Sequence, residues 1–293
     1  EGPQRTFYHR DVIDEDFLAV HVSRKMIAAI LDPYGYTPEN LHTDLDAGAS
    51  PSTVRLPGLR AEITVQLDSD PETVKARNVA GYLPGSALER RDTSNNGATT
   101  PRIVISAHHD HLGSYEGPGD TIYNGADDNA SGISGMLELA EYVAYLKRFP
   151  LDIVFIAFSA EEQGLLGSKA LLRDRPSFAE DTALLINLDM IGRNPDRPVE
   201  ITGANTSGEL KKLIERCNKD ERVSIEFNDR TIEPIGDFYP FYKRGVPFLF
   251  FFTGLHEDYH RTSDHVEKLD YRRMETLVTL ISDIIETAEW EQW

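Results

Sequence analysis

Histidines and carboxylates recur in this sequence just beyond short apolar runs. RIVISA (102–107) is followed by His108, His109, Asp110 and His111. LDIVFIAF (151–158) leads through Ser159 and Ala160 to Glu161 and Glu162. ALLINL (183–188) ends at Asp189, and PFLFFFTG (247–254) precedes His256, His260 and Asp264. A fifth segment, NGADDNASG, carries Asp127 and Asp128 ahead of a helical pattern. Two glutamates side by side at the end of an apolar run repel each other in a poorly solvated place, so a positive charge is expected beside them. Each feature alone has a bland reading: strand-end histidines are commonly surface residues, and Asp127 or Asp128 suits a helix cap. Their recurrence at five separate segments favours a metal centre instead. Imidazole and carboxylate donors without thiolate suit Zn²⁺, with Mn²⁺ or Co²⁺ as substitutes. The number of acids exceeds what one three-ligand ion uses. Two ions about 3.5–4 Å apart and joined by a carboxylate would employ them.

Such a centre needs a scaffold that brings distant segments to one edge. Runs 102–107, 151–158, 183–190 and 247–254 are apolar throughout, as buried strands are. They alternate with helical patterns at 131–147, 165–174 and 207–219, and 270–290 carries Leu277, Leu280, Ile281, Ile284 and Ile285 in a helical stripe. The alternation predicts an α/β fold, a three-layer α/β/α arrangement with a mostly parallel, mixed central sheet. In such sheets ligands bind beyond the carboxyl ends of the strands, where these polar residues fall. Further upstream, 23–31 reads as a short helix capped by Ser23, 61–67 as a strand with 77–83 as its partner, and 84–101 as an exposed loop. A single catalytic domain over 1–293, with 1–60 as N-terminal decoration, is expected.

With 49 acidic against 30 basic residues the formal charge is −19, the wrong sign for a nucleic-acid binder. No run of apolar residues is long enough to span a bilayer as a helix. Cys217 is the only cysteine, so an internal disulfide and a thiolate metal site are both excluded.

The segments SAHHDHLG, NGADDNASG, SAEEQGLLGS, INLDMIG and YHRTSD, in this order, resemble the co-catalytic di-zinc exopeptidases, a family that includes bacterial secreted aminopeptidases and glutamate carboxypeptidase. The resemblance runs from about residue 77 to the C-terminus. It implies two Zn²⁺ per chain, with His108 and Asp189 as terminal ligands of one, Glu162 and His260 of the other, and Asp127 as the bridge. It also implies a cis peptide bond from Asp127 to Asp128, Glu161 as general base, Tyr259 as a hydrogen-bond donor to the oxyanion, and Asp110 as the partner that fixes the His108 tautomer. Asp264 is expected to act similarly on His260. His109 and His111 are expected to support the site rather than to bind metal, and His256 to shape the pocket from a loop.

The activity implied is release of N-terminal residues from a peptide substrate, in an extracytoplasmic setting. A carboxypeptidase or dipeptidase on the same scaffold is the alternative and would need a cation for the substrate carboxylate, for which Arg193, Arg230 and Lys243 are available. Glutaminyl cyclase and a non-catalytic binding ectodomain, also hosted by this scaffold, are weaker alternatives. One departure stands out: where many members carry Ser-Asp-His, this chain has Gly236, Asp237 and Phe238. Oligomeric state is not legible.

Overall fold

The computed structural model describes residues 75–85, 101–146, 149, 151–228 and 232–288, together with 28–29, 31–35 and 37. The chain divides into two units, Glu1–Val74 and Lys75–Trp293. In the first, helical residues 28–29 and 31 lead into a 3₁₀ turn, Asp32–Tyr34, which Gly35 closes at φ 76. The Ser23 cap and the strand expected at 61–67 lie outside the described residues.

Among the described residues the second unit has seven strands: β1 (Val79–Leu83), β2 (Arg102–His108), β3 (Asp152–Phe158), β4 (Thr182–Leu188), β5 (Val199–Thr202), β6 (Ile225–Phe227) and β7 (Phe248–Phe252). Their order across the sheet is β1-β3-β2-β4-β7-β5-β6. The central ladder β3-β2-β4-β7 is parallel, while β1 and β5 pair antiparallel with β3 and β7. The sheet is therefore mixed, with the parallel core that the alternating pattern predicts.

Period-two alternation splits the apolar strand residues between two cores. Ile103, Ile105, Leu184, Ile186, Leu249 and Phe251 face one, and Val104, Val154, Ile156, Leu185, Phe248 and Phe250 the other. Helices α1 (Gly132–Leu146), α4 (Leu210–Cys217) and α6 (Tyr271–Thr287) cover the first face. Helices α2 (Leu166–Asp174), α3 (Ser177–Glu180) and α5 (Phe238–Tyr242) cover the second. The α6 stripe is fully used: Leu277, Leu280, Ile281, Ile284 and Ile285 are all buried, each worth ~1.5–3 kcal/mol as an apolar side chain removed from water. Its start is set by Asp270, whose side chain accepts a hydrogen bond from the Arg273 N–H at 3.1 Å.

Register aligns the strand ends that carry the candidate site residues. His108 pairs with Phe158, Ser106 with Asn187 and Leu188 with Phe251, so β2, β3, β4 and β7 end together. Between β2 and α1 the chain passes through a π-type turn, Ala126–Ser131. Asn129 in that turn fastens it to β4: its Nδ2 donates to the Leu188 carbonyl at 3.0 Å, and its Oδ1 accepts from Gly132 N–H at 3.0 Å and Met190 N–H at 3.3 Å. Gly132 is required there, because a Cβ would fall 2.3 Å from Asn129 Oδ1 and 2.7 Å from the Leu188 carbonyl oxygen.

Candidate metal centre

Two groups of potential ligands meet at this edge, and one carboxylate belongs to both. His108 Nε2 lies 3.3 Å from Asp128 Oδ1 and 3.4 Å from Asp189 Oδ1. His260 Nε2 lies 3.2 Å from Asp128 Oδ2 and 3.2 Å from Glu162 Oε2. A tetrahedral centre with metal–ligand bonds of ~2.0–2.1 Å has ligand–ligand edges of roughly 3.3–3.4 Å, so both groups are spaced to surround a small divalent cation. His108, Asp128 and Asp189 are buried. The second group also has His111 at its margin, with Nδ1 at 2.8 Å from Glu162 Oε1 and 3.7 Å from Asp128 Oδ2.

The shared carboxylate is Asp128, which corrects the expectation that Asp127 bridges. Successive residues project in different directions, and here Asp127 points away from the cluster. Its Oδ1 accepts the Gly192 N–H at 2.7 Å, and its Oδ2 lies 3.2 Å from His256 Nε2. The cis peptide bond is displaced in the same sense: it joins Asp128 to Asn129. His256 is thereby a buried partner of Asp127 rather than a loop residue shaping the pocket.

Asp264 and Asp110 support the site in ways that also differ from expectation. Asp264 Oδ2 accepts the backbone N–H groups of Asp127 at 2.9 Å and Asp128 at 3.2 Å, so it holds the ligand turn rather than the His260 ring. Its Oδ1 faces Arg193 at 3.6 Å, and Arg193 also meets Asp258 at 2.8 Å. Replacing Asp264 with Ala strips the acceptor from two buried donors, at roughly 1–3 kcal/mol for each group left unsatisfied. A melting temperature lower by several degrees is expected by calorimetry, and an unchanged one would contradict this role. Asp110 fixes His108 through its backbone carbonyl, 3.0 Å from Nδ1, while its carboxylate stands 3.8 Å away. That carboxylate instead accepts the N–H groups of Glu161 at 3.1 Å and Glu162 at 3.3 Å, and so fixes the paired glutamates.

The neighbours separate the two glutamates electrostatically. Burial pushes Glu161 well above the usual carboxylate range; His108 opposes this, and Asp189, Asp237 and the adjacent Glu162 reinforce it. Burial acts the same way on Glu162, but hydrogen bonds from His111 and His260 outweigh it and pull Glu162 down. Asp189 is pushed up to about 6 by burial. His260 is raised to about 9, because Asp128 and Glu162 overcome the opposing effect of burial. Glu161 thus has the higher proton affinity of the two glutamates, while Glu162 and Asp128 are held on the anionic side.

The sequence pattern of Peptidase family M28 matches residues 91–285. The chain belongs to that family. Among curated relatives, aminopeptidase YwaD of Bacillus subtilis is 29% identical over 205 residues, which are 64% of this chain and 41% of YwaD. Among solved structures, the aminopeptidase from Aneurinibacillus sp. strain AM-1 is 24% identical with a TM-score of 0.57, over 72% of this chain and 47% of that one. A leucine aminopeptidase precursor from Bacteroides thetaiotaomicron is 21% identical with a TM-score of 0.58, over 74% and 78%. These two structures show a common fold. The chain spans less than half the length of YwaD.

In this M28 chain the candidate ligands open onto a cavity of about 210 Å³. Glu161 and Tyr259 line it beside the ligands, and Met190, Ile235, Phe250, Phe252 and Leu255 form an apolar wall. Tyr259 stacks on the His260 ring with centroids 3.8 Å apart. Burial, with the surrounding carboxylates, raises the Tyr259 hydroxyl, which keeps it a donor. Phe238, at the position of the family's histidine, is fully buried and stacks on Phe248 at 4.6 Å, so it belongs to the core. Asp237 beside it is buried and pushed up to about 7. Of the cations considered for a substrate carboxylate, Arg193 is bound to Asp258 and Asp264, Lys243 is exposed at the end of α5, and Arg230 lies outside the described residues. Among the described residues, no Lys or Arg lines the cavity.

The sequence alone did not reveal Asp128 as the shared carboxylate, His111 as the Glu162 partner or the Asp127–His256 pair. Residue type carries no signal for the first, since two adjacent aspartates differ only in direction. His111 did have one: it follows Asp110 directly in a ligand-bearing turn.

Proposed function

We propose that this chain is a zinc-dependent aminopeptidase that hydrolyses the first peptide bond of peptides with a free N-terminus, using two cations. The observation that carries this reading is the Asp128 carboxylate, whose two oxygens each complete a three-ligand set, with Glu161 beside both. His108, Asp128 and Asp189 would hold one Zn²⁺, and Asp128, Glu162 and His260 the other; Mn²⁺ or Co²⁺ suits the same donors. When bound, such a pair lowers the pKa of water toward neutrality and polarises the scissile carbonyl.

The side chains supply the rest. Glu161, raised above the ordinary carboxylate range, takes the proton of the attacking water and returns it to the leaving amine. Asp110 keeps it aimed by holding its backbone N–H. Tyr259 donates toward the carbonyl oxygen as charge develops there. The carboxylates lining the cavity attract a protonated substrate amine, and the lack of a Lys or Arg among the described lining residues disfavours the carboxypeptidase reading. The residues given roles in this reading all belong to the unit Lys75–Trp293. Work outside the cytoplasm is part of this reading; no described helix is long and apolar enough to cross a membrane.

The test is a paired panel: aminoacyl peptides with free amines and the same peptides acetylated. Cleavage of the free series from the N-terminus, abolished by chelation and restored by Zn²⁺, is expected. Equal cleavage of the capped series, or none of either after metal resupply, would refute the reading.

A further inference from the structure

We infer that His111 is a positioning residue for the second cation site: it donates through Nδ1–H to one oxygen of Glu162, which leaves the other oxygen as the single ligand atom. The inference rests on the two-cation reading above. Asp128, Glu162 and a histidine form the second group, and two histidines reach it, so spacing must decide their jobs. His260 Nε2 stands 3.2 Å from both Asp128 Oδ2 and Glu162 Oε2, even distances near a coordination edge. His111 Nδ1 is uneven: 2.8 Å from Glu162 Oε1, a hydrogen-bond length, and 3.7 Å from Asp128 Oδ2, longer than a regular tetrahedral edge. Although His111, Asp128 and Glu162 stand close enough to hold an ion, His260 is therefore the better-spaced ligand.

The two imidazoles thus address different oxygens of one carboxylate. A carboxylate anion can only accept, so Nδ1 of His111 carries the proton. With Oε1 engaged, Glu162 binds through Oε2 alone and cannot rotate to chelate with both oxygens. Nε2 of His111 is buried and has no hydrogen-bond partner among the described residues, so the ring is anchored through Nδ1. The ring is closely seated. Gly125 stands against it at φ +61, where a Cβ would fall 2.8 Å from ring carbons Cγ and Cδ2. Tyr123 and His260 flank it edge-on, with centroids 6.4 and 5.8 Å away.

The test titrates Zn²⁺ into chelator-stripped full chain by calorimetry and records the visible spectrum after Co²⁺ loading, for the unsubstituted protein, His111→Ala and His111→Asn. Asn offers an N–H near the position of Nδ1 but is a poor zinc ligand. His111→Ala is expected to weaken the second binding event by roughly 10–100-fold, with the first unchanged. It should also lower the absorbance of the second Co²⁺ as Glu162 becomes bidentate and the coordination number rises. His111→Asn is expected to restore both. Unchanged second-site affinity in His111→Ala would overturn the proposal. So would failure of His111→Asn to rescue, since the ring itself would then be the ligand. Uptake of one ion by the unsubstituted protein would instead remove the two-cation reading beneath it.

Discussion

Replacing Glu161 with Gln is expected to lower kcat by roughly 10²–10⁴-fold, the usual contribution of a positioned acid–base group, with metal content unchanged. The side chain keeps its size and its backbone N–H still reaches Asp110. What disappears is the ability to accept a proton from water and hand it to the leaving amine. The surroundings of this residue suit it to proton transfer, since burial, Asp189, Asp237 and Glu162 all raise its affinity for a proton, against the opposing pull of His108. Glu162, one residue on, has the opposite bias because His111 and His260 stabilise its anion. The same substitution at Glu162 should therefore strip metal, whereas at Glu161 it should strip turnover. Elemental analysis beside steady-state kinetics separates the two. A Glu161→Gln protein that lost its metal together with its activity would contradict the division of labour.

The second large effect distinguishes two adjacent aspartates. Asp128→Asn removes the anionic bridge from both ligand groups, in which His108 and His260 each stand within 3.3 Å of its carboxylate. Metal content is expected to fall below one ion per chain, and activity with it. The loss should exceed the roughly 10–100-fold in affinity that follows removal of an outer hydrogen-bond partner. Asp127→Asn keeps an oxygen able to accept the Gly192 N–H, the bond that Oδ1 makes at 2.7 Å. It should retain both ions and most activity, with a modest loss of stability from the altered contact to His256. Metal analysis of the two variants after gel filtration gives the comparison. Equal metal loss in both, or a larger loss at Asp127, would contradict the geometry.

Much of this architecture was legible in the residues, and the failures have physical reasons. The buried strands β2, β3, β4 and β7 and helix α6 announce themselves, because continuous apolar runs and a long helical stripe have few alternative uses. The short outer strands β5 and β6, four and three residues long, carry too little pattern to be seen. Strand character was readable for β1, but its partner was not: propensity says that Val79–Leu83 is extended and nothing about pairing with β3. At the site, the segments that supply ligands were readable because their chemistry is costly without a cation. The finer choices depend on direction rather than on residue type. Asp127 and Asp128 are chemically identical, and only the turn between β2 and α1 aims one inward. Asp264 and Asp110 were recognisable as supporting acids, yet both spend their carboxylates on backbone N–H groups of the ligand turns rather than on imidazoles.

The central claim is that one carboxylate, Asp128, lies between two cations. Anomalous diffraction at the zinc edge, from crystals grown with Zn²⁺, tests it most directly. Two peaks about 3.5–4 Å apart, one beside His108 and Asp189 and the other beside Glu162 and His260, with Asp128 between them, are the outcome this account requires. A lone peak, or a pair of peaks joined by Asp127, would contradict it.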